Sequence, residues 1–113
     1  MSEAKDLQKQ LRIKSGVVER LIKELGVYQK EEEAEVRRVE KLKAEGAEGA
    51  DIRQAENVLK EAQKMVPDAQ KRMSGAVEDL RGVFDLAKDP SSPLPADDEM
   101  LLKAKEALEK AEA

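Results

Sequence analysis

Residues 52–87 read IRQAENVLKEAQKMVPDAQKRMSGAVEDLRGVFDLA, and an apolar side chain recurs in them at alternating steps of three and four residues. The pattern continues through Pro67 and covers eleven seam positions: Ile52, Ala55, Leu59, Ala62, Val66, Ala69, Met73, Ala76, Leu80, Val83 and Ala87. A period of 3.5 residues is typical of a helix packed lengthwise on another helix, whereas a strand has a period of two. The stretch therefore predicts a long helix, kinked at Pro67 because proline cannot donate a backbone hydrogen bond and its ring crowds the preceding turn.

Two further helices are predicted on either side of this one. The first runs from about residue 3 to 45, and its apolar seam is interrupted by Lys14, Glu32 and Glu35. Its seam residues are Leu7, Leu11, Val18, Leu21, Leu25, Tyr28, Val39 and Leu42. The glycines of residues 46–49 can end this helix, so the second helix is expected over about 51–87. A Pro/Ser loop at 89–96 then precedes a third helix at about 97–112, with the seam Leu101, Ala104, Leu108 and Ala111.

The connections between these helices predict how they are arranged. The first one is short, so the first two helices should be antiparallel neighbours. We therefore expect a single all-α domain over residues 1–113, an elongated antiparallel three-helix bundle or coiled coil with up-down-up topology. With the turn near residue 48, residue i of the first helix should face about residue 96 − i of the second. The third helix, roughly 24 Å long, can cover only the part of this hairpin near residues 7–21 and 73–83.

Composition excludes several functional classes. Charged residues make up 41% of the chain and aromatic residues 2%, while histidine and cysteine are absent, which removes the commonest metal ligand and all disulfides. The net charge is −4 and no basic stripe is present, so nucleic acid is not expected as a partner. Apolar runs are too short to span a membrane and the N-terminus does not resemble a signal peptide. We therefore expect an intracellular soluble protein that does not act on membranes.

The strongest cluster of acidic residues lies at positions 31–35. Raising a carboxylate pKa for acid–base catalysis requires a dry pocket, and nothing in the sequence predicts one or a cage of metal ligands. We therefore predict no catalytic residue, no cofactor and no metal site. Two interpretations of the seam residues Glu32 and Glu35 stay open: they face basic residues such as Lys60 or Lys64, or they remain exposed for a partner.

Several short motifs, taken in order, carry a resemblance to a known family. They are LRIKSGVVERLIKE at 11–24, Tyr28, DIRQ at 51–54, VLKE at 58–61 and MVPD at 65–68. In this order and spacing the motifs resemble the tubulin-folding cofactor A family of tubulin-specific chaperones. The resemblance covers about residues 11–86.

This resemblance implies a three-helix bundle that captures β-tubulin in the cytosol before β-tubulin joins α-tubulin. It also implies a cytoplasmic, cytoskeleton-associated protein without enzymatic activity or a cofactor, which binds through largely polar helix faces. We hypothesise that exposed residues within the matching region, about residues 11–86, contact β-tubulin: Lys14, Arg20, Lys23, Glu24, Glu31, Asp68 and Arg72. The alternative that these motifs simply fix helix packing stays open.

A second function is compatible with the same seam. Two hairpins could pair into a four-helix bundle, which would make the protein a homodimeric coiled-coil scaffold or adaptor for another cytosolic protein. The sequence thus leaves both a monomer and a homodimer open.

Overall fold

The computed structural model describes residues 2–113 and contains three α-helices. Helix α1 spans Glu3–Ala44, α2 spans Gly49–Lys88 and α3 spans Glu99–Glu112. No strand is present within residues 2–113. The predicted all-α fold with three helices is confirmed.

The apolar seam of α2 is sheltered along its whole length. All eleven predicted seam residues are buried or half-buried. Between residues 52 and 87 the other sheltered positions are Glu56, Val77 and Phe84. Pro67 lies within α2 on its exposed side, and the helix continues through it. The seam prediction is confirmed, and the kink at Pro67 stays a prediction.

The chain forms two compact units. Unit 1 comprises the residues up to Ile22 together with Arg72–Ala113, and unit 2 comprises Lys23–Lys71. Unit 1 therefore contains α3 with portions of α1 and α2, while unit 2 contains portions of α1 and α2 alone.

Unit 1 holds a leucine- and alanine-rich core. Its buried members are Leu11, Val18, Leu80, Ala87, Leu94, Leu101, Ala104, Ala107 and Leu108. The four predicted seam positions of α3 are sheltered, but Ala107 and the loop residue Leu94 were not predicted to be buried. Leu94 lies in the α2–α3 loop and packs into this core. Asp89 fixes the turn at the start of the loop, because its carboxylate accepts hydrogen bonds from the N–H and the hydroxyl of Ser91 at 2.9 and 2.6 Å. These two bonds hold the pKa of Asp89 below its ordinary value.

Polar contacts define the helix directions in unit 1. Gln8 in α1 donates to Asp98 at 2.7 Å, just before α3, and Lys110 near the end of α3 lies 3.9 Å from Glu19 of α1. Helices α1 and α3 are therefore parallel. Arg81 of α2 pairs with Glu112 of α3. Phe84 and Lys88, which lie closer to the C-terminal end of α2 than Arg81 does, are beside Leu101 and Leu102 near the start of α3. Helices α2 and α3 are therefore antiparallel.

Helix α3 begins two residues later than expected because Asp98 is its N-cap. One carboxylate oxygen of Asp98 accepts from the backbone N–H groups of Met100 and Leu101, at 2.9 and 3.2 Å. The other oxygen accepts from the Gln8 side chain. Residues 97–99 are all acidic, so their charge does not distinguish them, whereas the structure makes Asp98 a link between α3 and α1.

Unit 2 is a helical hairpin with little large apolar burial. Its buried residues are Val39, Ala55 and Ala69. The turn follows a Schellman motif in which Ala47 donates to the carbonyl of Leu42 at 3.0 Å, with Gly46 at φ 70°. Val66 of α2 lies beside Gln29 and Glu32 of α1, which agrees with the expected register of residue i against 96 − i.

Substitution of Asp98 should destabilise the protein. Asp98→Ala removes the α3 cap and the bond from Gln8, so we expect the free energy of unfolding to fall by about 1–2 kcal/mol. Urea unfolding followed by circular dichroism measures this loss. Asp97→Ala is the matched control, since Asp97 is exposed and adjacent but is not the cap, and an equal loss in both variants would contradict the assignment.

Two glycines should respond to alanine in opposite directions. Gly75 lies inside α2 with nothing within 4 Å of a Cβ placed on it, so Gly75→Ala should raise the free energy of unfolding by about 0.5–1 kcal/mol. Gly46 has a left-handed backbone conformation, so Gly46→Ala should lower the free energy of unfolding by about 1 kcal/mol. Thermal unfolding of both variants checks the signs. A drop in melting temperature for Gly75→Ala would contradict this prediction, because it would show that the added methyl group is not tolerated at this position.

Candidate functional site

The seven residues predicted to contact a partner are distributed over both units. Lys14, Arg20 and Arg72 belong to unit 1, whereas Lys23, Glu24, Glu31 and Asp68 belong to unit 2. The prediction that all seven are exposed is wrong for Lys14 and Glu24, which are half-buried. The other five are exposed, so their charged groups can reach a partner.

Lys14 is half-buried because it occupies a seam position of α1, one turn after the buried Leu11. Its ammonium nitrogen lies 2.5 Å from a carboxylate oxygen of Asp79 on α2. The Lys14 side chain is 26% exposed, which is typical of a lysine that lays its aliphatic stem along apolar surface and keeps its charge near water. Lys14 therefore links α1 to α2, and this contact favours a packing role at that position.

Unit 2 contains an open groove between its two helices. The groove has a volume of about 620 Å³ and is lined by Gln29, Glu32, Glu33, Val36, Arg37 and Val66. Val36 and Val66 are the apolar members, while Gln29, Glu33 and Arg37 are exposed. The groove forms where the seam of α1 has Glu32 in place of an apolar residue.

The seam glutamates are not paired as one interpretation proposed. Glu35 lies 3.5 Å from Arg38 on its own helix, and Lys64 lies 3.3 Å from Glu61 on α2. Within residues 2–113 no ion pair joins Glu32 or Glu35 to Lys60 or Lys64, so the structure does not support that interpretation. The other interpretation, that they remain exposed, is also inaccurate, because both are half-buried.

The groove is better suited to binding than to acid–base chemistry. Its rim is solvent-exposed, and a carboxylate needs a dry enclosure before its pKa rises far enough to serve as a general acid. In the described part of the chain, no cluster of three or more Asp or Glu side chains is arranged to hold a metal ion. Across residues 2–113 no helix combines the length and apolarity needed to cross a membrane.

Comparison with known proteins supports one family. The sequence profile described as "Tubulin binding cofactor A" matches residues 6–108. The chain belongs to this family. A relative from Rattus norvegicus, "Tubulin-specific chaperone A", is 41% identical over 81 residues, which is 72% of this chain and 75% of the relative. The "Tubulin-folding cofactor A" of Arabidopsis thaliana is 41% identical over 74 residues, which is 66% of each protein.

Solved structures of cofactor A proteins have the same fold. The crystal structure of tubulin folding cofactor A from Arabidopsis thaliana aligns with a TM-score of 0.84 and 32% identity, covering 95% of this chain and 96% of that one. The human tubulin chaperone cofactor A aligns with a TM-score of 0.79 and 33% identity, covering 95% and 99% respectively. The resemblance inferred from the sequence motifs is therefore confirmed, and the family membership extends beyond them to residues 6–108.

Sequence reasoning missed the groove of unit 2, although a signal was available. It identified Glu32 as an interruption of the seam and predicted the register between α1 and α2. Combining the two would have placed Glu32 beside Val66 and left a gap in the apolar contact at that level. No periodic pattern in the sequence marks Gln29, Glu33 or Arg37. They are recognised as groove residues only when the two helices are placed together.

Replacement of Glu32 tests whether its carboxylate weakens the seam. Glu32→Leu should raise the free energy of unfolding by about 1 kcal/mol, because it adds apolar surface at a half-buried seam position. Guanidinium unfolding measures the change. Glu33→Leu is the matched control, since Glu33 is adjacent and exposed, and it should change stability by less than about 0.5 kcal/mol. Equal effects of the two leucines would mean that Glu32 is not a seam position.

Proposed function

We propose that this protein is a tubulin chaperone that captures β-tubulin and stabilises it before the heterodimer with α-tubulin assembles. The observation that carries this proposal is the match to the cofactor A family over residues 6–108, together with relatives described as tubulin-specific chaperones. The helical fold shared with two cofactor A structures supports it. Its β-tubulin specificity rests on what the resemblance implies.

The exposed helix faces support recognition through charged side chains. Arg20 and Arg72 in unit 1, and Lys23, Glu31 and Asp68 in unit 2, are the exposed members of the predicted contact set. Individual exposed ion pairs contribute about 0–1 kcal/mol, so capture through such residues requires several of them and weakens as salt rises. A surface of this kind suits a chaperone, because its client must also be released.

Binding, rather than chemistry, is the proposed activity. The protein acts without a cofactor and without catalysis, in the cytoplasm and in association with the cytoskeleton. Its surfaces present both signs of charge, and neither nucleic acid nor membrane is a proposed partner. The homodimeric scaffold is the alternative, in which the protein would dock a different cytosolic partner.

The decisive experiment compares two forms of the proposed client. Tagged protein is incubated with β-tubulin newly released from a folding machinery and, separately, with assembled αβ-tubulin, and the retained tubulin is quantified. Selective retention of unassembled β-tubulin supports the proposal. Failure to retain it, or equal retention of unrelated cytosolic proteins, would favour the scaffold. Sedimentation of the protein alone determines whether it is a monomer or a dimer.

Charge reversal within unit 2 should weaken capture without unfolding the protein. Lys23→Glu combined with Glu31→Lys leaves the net charge unchanged but reverses both exposed contacts, so we expect the affinity for β-tubulin to fall about threefold to tenfold. Arg20→Glu tests unit 1 separately, with an expected loss of about threefold. Biolayer interferometry measures affinity, and circular dichroism verifies helical content.

Matched controls use exposed residues of the same units outside the predicted set. Glu40→Lys combined with Lys43→Glu keeps the net charge of unit 2, and Lys9→Glu matches the reversal in unit 1. These variants should bind β-tubulin normally. If the control and test variants lose affinity equally, the named residues are not the contact surface, although the chaperone role itself would stand.

A further inference from the structure

A second concave surface lies in unit 1, between the end of α2 and the start of α3. We call it the Phe84 pocket; it has a volume of about 380 Å³ and is lined by Phe84, Lys88, Ala96, Leu101, Leu102 and Lys105. The volume falls within the range of typical ligand pockets, about 300–1,000 Å³. None of the seven predicted contact residues lines this pocket, so it is a separate feature of the molecule.

The pocket combines exposed apolar surface with positive charge. Leu102 is 51% exposed, which is a large exposed fraction for a leucine, and Phe84 is half-buried. The ammonium group of Lys88 lies 5.3 Å from the centre of the Phe84 ring, within range of a cation–π contact. The pocket therefore combines apolar surface with a cation close to its aromatic ring.

The charge at this pocket is opposite to that of its surroundings. Its lining includes two lysines and no acidic residue, although residues 89–113 carry seven acidic and three basic side chains. Lys88 lies 3.5 Å from Asp85, but both side chains are more than half exposed and such pairs are weak. Among the ion pairs of residues 2–113 none includes Lys105. Both ammonium groups are thus available to an incoming anion.

We propose that the Phe84 pocket binds an acidic peptide segment in which one large apolar side chain is flanked by carboxylates. The apolar side chain enters between Phe84, Leu101 and Leu102, and the flanking carboxylates reach Lys88 and Lys105. The apolar part supplies affinity by removing exposed leucine and phenylalanine surface from water, and the two ion pairs orient the segment. This proposal goes beyond the capture of β-tubulin and does not depend on it.

An acidic peptide fits the pocket better than an anionic lipid surface does. Membrane-binding helices present a convex apolar face bordered by many basic residues. Here the apolar surface is concave, and only two basic residues, Lys88 and Lys105, line it. A short peptide segment needs only these two lysines, whereas a bilayer surface requires many basic residues.

The test titrates the full-length protein into a fluorescently labelled synthetic peptide that has one phenylalanine between two pairs of glutamates. We expect saturable binding by fluorescence anisotropy that weakens as salt rises. Replacing the peptide phenylalanine by serine, or its glutamates by lysines, should each weaken binding at least about fivefold. No tubulin is present, so a failure here leaves the proposed chaperone function untouched.

Protein variants locate the binding to the pocket. Leu102→Ser and Lys105→Glu alter exposed side chains, so the fold should survive, and each should weaken binding about fivefold. Lys103→Glu is the matched control, because Lys103 is an exposed lysine of the same helix that does not line the pocket, and it should bind normally. Absence of saturable binding at millimolar peptide, or equal affinity in all three variants, would overturn the proposal. So would binding to phosphatidylserine vesicles with the same sensitivity to Leu102→Ser and Lys105→Glu.

Discussion

The apolar seam of α2 is the constraint on which the rest of the structure depends. Its eleven positions are sheltered without exception, and four of them have no solvent exposure at all: Ala55, Ala69, Leu80 and Ala87. Alanine allows helices to approach closely but buries little area, so each unit must draw its stability from many small contacts. Because the seam is narrow, most side chains of both long helices are exposed to solvent. A functional site is therefore expected on the surface.

Units 1 and 2 bury their parts of the α2 seam in different ways. In unit 1, α3 adds leucines from a third side, and cross-helix contacts such as Gln8 with Asp98 and Lys14 with Asp79 join the helices. In unit 2, two helices alone bury small residues and leave the groove beside Glu32. Unit 2 should therefore open more easily in local unfolding than unit 1, because it has fewer buried apolar side chains.

Two polar residues in the α1 seam show that a break in the apolar pattern has different consequences in the two units. Lys14 and Glu32 both interrupt the α1 seam, and the sequence pattern treats them alike. Lys14 receives a carboxylate partner from α2, so its interruption becomes a link between helices. Glu32 receives no such partner within the described chain, and a groove opens beside it. The same kind of irregularity thus produces packing in one unit and accessible surface in the other.

The sequence by itself determined the all-α class, the three helices, the seam residues and the family, because a repeat of 3.5 residues and a short turn are local properties of the chain. Tertiary structure alone decided which polar residues became links: Asp98 rather than Asp97 caps α3, and Lys14 meets a residue 65 positions away. It also decided that Lys14 and Glu24 are half-buried, and that Phe84 and Leu102 share a pocket. Such contacts depend on how helices far apart in sequence are placed side by side. Periodicity along one helix specifies which of its faces is buried, but it does not specify which atoms of another helix contact that face.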